Sequence, residues 1–324
     1  MKIVVLDSFA LNPGDLSWEG FEKFGEVRRY DRTSYTDKQE IIQRIGNADV
    51  ILTNKTPIDE EVLRAVPQLK YIGVLATGYN VVDIAAASKR GIPVTNIPSY
   101  GTNAVAQFTF ALLLEIVNQV GLHNESVHQG EWQRSKDFTY WHTPLMELSG
   151  KTIGLIGFGE IAQAVADIAR AFKLKIIFWN HREKNSPDWV EQVSLKELYQ
   201  QADIISLHVP QTEETTKMIN QAAINQMKTG VILINTARGG LLDELAVANA
   251  LNEEKIYALG ADVVSKEPMT RDNPLLEAKN CFLTPHIAWA PIETRERLME
   301  IALDNLSAFL AGEGKNIVNK TMTN

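Results

Sequence analysis

A chain of 324 residues is long enough for two domains, each burying a core of its own. Hydrophobic residues at 45% and charged residues at 22% match an ordinary globular composition and argue against long disordered tails. A formal net charge of −8 argues against nucleic acid or an anionic membrane as partner, because both reward a basic surface. The one cysteine, Cys281, rules out an intramolecular disulfide and, in the apolar run Cys281-Phe-Leu283, reads as an inert buried thiol. The opening MKIVVLD lacks the apolar region and cleavage site of a signal peptide. No apolar run approaches the roughly 20 residues that span a bilayer, so the cytoplasm is the expected location.

Up to about residue 97, the short apolar runs KIVVLD, EVRRYD, ADVILTN, YIGVLAT and IPVTNIP alternate with amphipathic segments. One of these, Thr36 to Ile45, opens with Thr36 and Gln39 at capping-box spacing. Strand-then-helix alternation predicts an α/β domain with a parallel sheet. From Thr102 to Gly121 the pattern becomes a long helix, apolar nearly all round, which must be covered at a domain boundary or a subunit contact. His123 to Ser149, polar and aromatic, reads as helix end plus loop. A second alternation begins at Lys151 with KTIGLIG, KIIFWN, DIISLHV, GVILINTA, YALGADV and CFLTPHI, six strands that match a Rossmann dinucleotide-binding domain. Its helix at Ser194 to Gln201 starts with the capping box Ser194–Glu197. The last long helix, about Ile292 to Leu310, is expected to cross back and complete the first domain. The expected division is therefore 1–100 plus 291–324 and 101–290, two doubly wound parallel-sheet domains with a cleft between them.

The strand Thr152 to Ile156 runs directly into Gly157-Phe-Gly159-Glu160-Ile161-Ala162, a G-x-G-x-x-A pattern that opens a helix. Gly157 permits the tight turn, Gly159 lets the backbone approach a pyrophosphate, and Ala162 lets helix and strand pack closely. The helix N-terminus then offers free N–H groups to phosphate oxygens. At the end of the next strand, where an NAD site presents an acid to the ribose 2′-hydroxyl, this chain has Asn180-His181-Arg182. Asn180 does not repel a 2′-phosphate and Arg182 can pair with one, so the cofactor is expected to be NAD(P)(H) with NADP(H) slightly favoured.

Hydride reduction of a 2-oxo acid needs a cation for the carboxylate and carbonyl, a proton donor for the developing alkoxide, and a group that tunes the donor. Arg238 in Asn235-Thr-Ala-Arg238-Gly-Gly240, Glu267 in Asp262-Val-Val-Ser-Lys-Glu267-Pro268 and His286 in Thr284-Pro-His286-Ile-Ala-Trp289 supply one of each, after successive strands. No metal is expected, because His123, His128, His142, His181 and His208 show no ligand spacing, and His208 reads as structural.

These three blocks and the glycine loop, in this order, resemble the D-isomer-specific 2-hydroxyacid dehydrogenase family. The resemblance also takes in Ala76-Thr-Gly78-Tyr-Asn-Val-Val-Asp83, the helix start Thr102-Asn-Ala-Val-Ala-Gln107 and Leu207-His-Val-Pro210. It implies that Arg238 binds the substrate carboxylate and carbonyl, that His286 is the general acid–base, and that Glu267 is its partner, favouring the imidazolium. It further implies backbone N–H groups at Thr77 and Gly78 for the carboxylate. Cofactor contacts are implied at Thr102, Glu160, Ile161, Val209, Pro210, Thr236, Ala237 and Asp262. Gln107 and Asn180 depart from the acids that many members carry, which leaves the reaction class intact and cofactor preference open. The Ala76-Thr-Gly78-Tyr-Asn run, Gln107 and His286-Ile-Ala-Trp289 look most like the glycerate dehydrogenase and hydroxypyruvate reductase branch. Hydroxypyruvate or glyoxylate is then the first substrate, and a homodimer through the helix 102–121 the expected assembly. A D-lactate-type or broad 2-oxo-acid reductase is the nearest alternative, and a non-catalytic, nucleotide-sensing partner protein a remoter one.

Overall fold

The computed structural model describes residues 1–319, so positions 320–324 of the expected first domain lie outside the described residues. The chain divides into two compact units: Met1–Tyr100 with the segment from Ala290 onward, and Gly101–Trp289.

The first unit begins with strand β1 (Lys2–Val5), helix α1 (Glu19–Glu22), β2 (Glu26–Arg29) and α2 (Lys38–Ile45). It continues through β3 (Val50–Thr53), α3 (Glu60–Ala65), β4 (Tyr71–Val74), α4 (Ile84–Lys89) and β5 (Val94–Thr95). All strand pairs are parallel, in the order β2-β1-β3-β4-β5, a doubly wound arrangement. β3 and β4 are buried along their whole length, as expected for strands covered on both faces. β2, at the edge, carries the exposed Arg28 and Arg29, which discourage further strand pairing. The expected capping box at Thr36 is not formed. Asp37 is the N-cap instead, its carboxylate accepting from the N–H groups of Gln39 and Glu40, since an ionised acid is the stronger acceptor at a helix start.

The second unit opens with α5 (Thr102–Asn118), α6 (Val120–His128) and α7 (Glu131–Arg134). The single helix expected to reach Gly121 stops at Asn118: Gln119 takes φ +49°, and α6 leaves at 56° to α5. Part of the segment expected as helix end and loop is thus helical. A hydrogen-bonded cluster holds it, with His123 Nδ1 2.8 Å from the Gln119 carbonyl, His142 N–H donating to His123 Nε2 at 3.1 Å, and Ser126 Oγ 2.7 Å from the Tyr140 hydroxyl. No single helix among the described residues is long and apolar enough to cross a membrane.

The sheet of this unit follows: β6 (Thr152–Ile156), α8 (Glu160–Ala171), β7 (Lys175–Trp179), β8 (Val190–Gln192), α9 (Leu195–Gln201) and β9 (Ile204–Leu207). Next come α10 (Gln221–Gln226), β10 (Val231–Asn235), α11 (Glu244–Asn252), β11 (Ile256–Ala261) and β12 (Cys281–Leu283). The order is β12-β11-β10-β9-β6-β7-β8, all parallel, with the strand order reversing between β6 and β9. That is the Rossmann arrangement with its switch point beside the glycine loop. Among the described residues seven strands form this sheet, where six were expected. The extra one, β8, is three residues long and too polar to show a period. The capping box Ser194–Glu197 forms as expected. After Trp289 the chain rejoins the first unit as α12 (Ile292–Leu310), anchored there by paired Arg295–Asp15 hydrogen bonds of 2.8 and 2.7 Å.

Candidate active site

The glycine loop lies at the C-terminal end of β6. Gly157 has φ +93°, and a Cβ on it would stand 2.6 Å from the His208 carbonyl oxygen and 2.8 Å from Val209 Cγ1. Only glycine both adopts this backbone and lets the two loops meet. Gly159 is the N-cap of α8 with no side chain to satisfy the helix N–H groups, and a Cβ there would meet nothing within 4 Å. Free N–H groups facing open space fit the pyrophosphate of a dinucleotide. Glu160 is exposed beside it and Ile161 half-buried.

At the end of β7, Asn180 Nδ2 donates to the Arg182 carbonyl at 3.0 Å. Gln192 of β8 grips the same loop twice, donating to the Arg182 carbonyl at 3.1 Å and accepting from the Lys184 N–H at 3.0 Å. The Arg182 side chain is exposed, and Lys184 Nζ donates to the Phe158 carbonyl, inside the glycine loop, at 3.0 Å. Sequence reasoning singled out neither Lys184 nor Gln192. The basic character of His181-Arg182-Glu-Lys184 was the one available signal.

Beyond β9, Val209 is half-buried and Pro210 exposed, its carbonyl accepting from Thr215 Oγ1 at 2.7 Å. His208 is structural: its Nε2 is 2.9 Å from Ser206 Oγ, and burial pushes its pKa down to about 4. Cys281 is equally inert, half-buried with its thiol pushed up to about 12 by desolvation.

Arg238 sits in the turn after β10. Asn235, wholly buried, donates through Nδ2 to the Arg238 carbonyl at 2.9 Å and accepts from the Ala237 N–H at 3.1 Å, so its side chain shapes this turn. The guanidinium is exposed and donates to the Ala237 carbonyl at 2.6 Å. Thr236 is almost buried, its hydroxyl 3.0 Å from that of Thr109 on α5. Gly239 lies backbone to backbone against the loop after β11: a Cβ on it would be 1.9 Å from the Val264 carbonyl carbon. The Arg238 turn and the segment leading to Glu267 are therefore in direct contact.

Glu267 Oε2 meets His286 Nδ1 at 2.7 Å, with both side chains about one-third exposed. A carboxylate only accepts, so Nδ1 carries the proton and Nε2 is left for chemistry. His286 takes φ +55°, a left-handed conformation that costs energy and persists only when its surroundings impose it. Asp262 imposes it: its buried carboxylate accepts from Thr284 Oγ1 at 2.6 Å, Ile287 N–H at 2.9 Å and Ala288 N–H at 2.8 Å. Trp289 Nε1 adds a bond to the His286 carbonyl at 2.9 Å. The residue expected to touch cofactor thus also frames the histidine.

Of the other expected residues, Thr102 starts α5. Thr77 and Gly78 follow β4 in the first unit, where Thr77 Oγ1 donates to the Ile97 carbonyl at 2.8 Å and the Thr77 carbonyl accepts from Asn96 Nδ2 at 2.8 Å. Among the described residues no group of His, Cys, Asp and Glu could hold a metal.

The model of the D-isomer-specific 2-hydroxyacid dehydrogenase NAD-binding domain matches residues 110–288. The chain belongs to this family. A hydroxypyruvate reductase of Blautia hydrogenotrophica is 52% identical to this dehydrogenase, covering 99% of the chain and 100% of the relative. A glycerate dehydrogenase of Methylorubrum extorquens is 37% identical over 98% of each. Among solved structures, an NADPH-dependent glyoxylate/hydroxypyruvate reductase of Sinorhizobium meliloti, in complex with NADP and malonate, superposes with a TM-score of 0.82 at 28% identity, covering 98% of this chain and 96% of that one. This dehydrogenase is an NAD(P)-dependent oxidoreductase acting on 2-hydroxy and 2-oxo acids.

Proposed function

We propose that this dehydrogenase reduces hydroxypyruvate or glyoxylate, with His286 as general acid, Glu267 as its partner and Arg238 as the carboxylate ligand. The observation that carries the reading is the 2.7 Å Glu267–His286 bond, on a loop packed against the Arg238 turn. A guanidinium offers two parallel N–H donors, so Arg238 can hold both the carboxylate and the carbonyl oxygen of a 2-oxo acid. Thr77 and Gly78 supply further N–H groups for the carboxylate. The nicotinamide cofactor, when bound, supplies the hydride. His286 in its imidazolium form gives the Nε2 proton to the developing alkoxide, and the Glu267 carboxylate stabilises that charged form before the transfer. In oxidation His286 begins neutral and takes the proton. A complete acid, partner and cation set speaks for turnover and against a purely nucleotide-sensing role.

The cofactor is held by N–H groups at Gly159, Glu160 and Ile161, with Val209, Pro210, Thr102, Thr236, Ala237 and Asp262 lining its path. NADP(H) is the favoured form. Asn180 brings no repelling charge to the ribose end, Arg182 is exposed there, and Lys184 reaches the glycine loop. The NADP complex of the Sinorhizobium enzyme is in keeping with this. The assembly is a homodimer in the cytoplasm. Much of the apolar surface of α5 is covered within its own unit, but α5 and α8 leave a groove of about 630 Å³ lined by Phe110, Leu114 and Ile168. The segment after α5 exposes the large apolar side chains Val120, Trp132, Phe138 and Trp141, which a second copy would cover.

Loss of reduced-nicotinamide absorbance, followed with NADH and NADPH over a panel of 2-oxo acids, tests the reading. Hydroxypyruvate or glyoxylate is expected to give the highest kcat/KM. A clear preference for pyruvate would indicate a D-lactate-type reductase, and cofactor binding without turnover the nucleotide-sensing alternative. Sedimentation at micromolar concentration is expected to give twice the 36.2 kDa chain mass, and a monomer would refute the dimer.

A further inference from the structure

Glu244 is the first residue of α11 and has no part in the chemistry above. The helix does not need it as a cap, because Asp243 already accepts from the Ala246 N–H. Its carboxylate instead reaches out of the helix. Oε1 accepts from the Ser265 N–H at 2.7 Å, and Oε2 accepts from Ser265 Oγ at 2.6 Å and from Asn273 Nδ2 at 3.0 Å. Ser265 stands two residues before Glu267, and the neighbouring Val264 N–H donates to Glu267 Oε1 at 3.3 Å. On its other side Glu244 follows the Arg238 turn by way of the short 3-10 helix Gly239–Leu241. Gly239 and the Val264–Ser265 backbone already touch, so the two charge-assisted hydrogen bonds from Ser265 to Glu244 close a contact that one glycine makes possible, while Asn273 fixes the carboxylate from another side.

We propose that Glu244 is a positioning residue that clamps the Glu267 loop to the Arg238 turn, so that the proton donor's partner and the carboxylate-binding cation keep one geometry. The proposal rests on the reading of Glu267 as the partner of His286. A displacement of about 1 Å at such a pair is enough to cost roughly a hundredfold in rate.

The test is the pH dependence of kcat/KM for 2-oxo-acid reduction in wild type, Glu244→Ala, Glu244→Gln, Ser265→Ala and Glu267→Gln. Removing the carboxylate from Nδ1 withdraws support from the imidazolium, so Glu267→Gln moves the basic limb to lower pH. Glu244→Ala is expected to lower kcat/KM about ten- to hundredfold at neutral pH and to move the same limb in the same direction. Glu244→Gln, whose amide oxygen still accepts from the Ser265 N–H, is expected to recover part of both effects. The double variant Glu244→Ala/Glu267→Gln is expected to shift the limb no further than Glu267→Gln alone. A purely structural role for Glu244 would lower Tm and leave the limb in place. If Glu267→Gln moves the limb while folded Glu244→Ala does not, the clamp is overturned and the parent reading stands. If Glu267→Gln itself leaves the limb unmoved, the parent reading falls and the clamp with it. Should Glu244→Ala fail to fold by circular dichroism, Glu244→Gln and Ser265→Ala decide together: each removes part of the clamp while keeping the backbone bond, and a limb unmoved in both overturns the proposal.

Discussion

Gly239→Ala adds one methyl group at the place where the Arg238 turn meets the loop to Glu267. The new Cβ would stand 1.9 Å from the Val264 carbonyl carbon, 2.1 Å from its oxygen and 2.4 Å from the Ser265 nitrogen. These are backbone atoms, so no side-chain rotamer can relieve the clash. Ordinary contact begins near 3.4 Å, and the two loops must therefore part by about 1.5 Å. Overpacking of this kind costs about 1–3 kcal/mol of stability, and the separation carries Glu267 and its histidine away from the guanidinium. Positional errors near 1 Å cost roughly a hundredfold in rate, so kcat/KM for hydroxypyruvate is expected to fall by about that factor or more. Thermal melting and steady-state kinetics on the same preparation separate the two losses. The variant is expected to remain folded at 25 °C, with cofactor affinity, measured by fluorescence titration, close to that of the wild type. A variant whose Tm and kcat/KM both match the wild type would refute the reasoning, because the loops would then part at no cost to the site.

Arg238→Lys keeps the charge but cannot reproduce two parallel hydrogen bonds, and is expected to lose on the order of 3 kcal/mol of transition-state stabilisation, about a hundredfold in kcat/KM. Near-wild-type kinetics would remove Arg238 from the site. Asn180→Asp is expected to shift preference towards NADH, while Arg182→Ala weakens NADPH roughly five- to thirtyfold and spares NADH. A wild type that strongly prefers NADH, with Arg182→Ala unchanged for both cofactors, would make the cofactor NAD(H). His208, whose pKa is lowered from 6.5 to about 4, takes its proton more readily in the unfolded chain, so stability is expected to fall as pH drops from about 6.5 towards 4. The loss approaches about 3 kcal/mol and levels off below that window. Denaturant unfolding of wild type and His208→Gln across this range checks it, and parallel pH dependence in the two proteins would assign the loss elsewhere.

Much of this enzyme was legible in the order of its residues. A short, β-branched apolar run such as Val231–Ile234, bounded by turn residues, reads as a covered strand, and the glycine loop is local: its strand, turn and helix start are consecutive, so the pattern carries the structure with it. The blocks at Arg238, Glu267 and His286 pointed to a reaction class because hydride reduction of a 2-oxo acid needs those three side-chain chemistries together. Elements without a period were not legible. β8 is three polar residues, and Gln119 breaks a helix that apolar periodicity alone would have continued to Gly121. The cap at Asp37 was one residue from the position that spacing favoured, since spacing does not weigh a carboxylate against a hydroxyl. The supports of the site were hidden for a different reason. Asp262 was expected only as a cofactor contact, and no sequence pattern assigned Glu244 or Gly239 a role. Each acquires its role only from a partner 21 to 26 residues away in sequence, brought against it when neighbouring strands of one sheet end at the same edge. Sequence determined which groups could do the chemistry; tertiary structure decided what holds them in place, because hydrogen-bond partners across adjacent loops are set by sheet order and not by spacing along the chain.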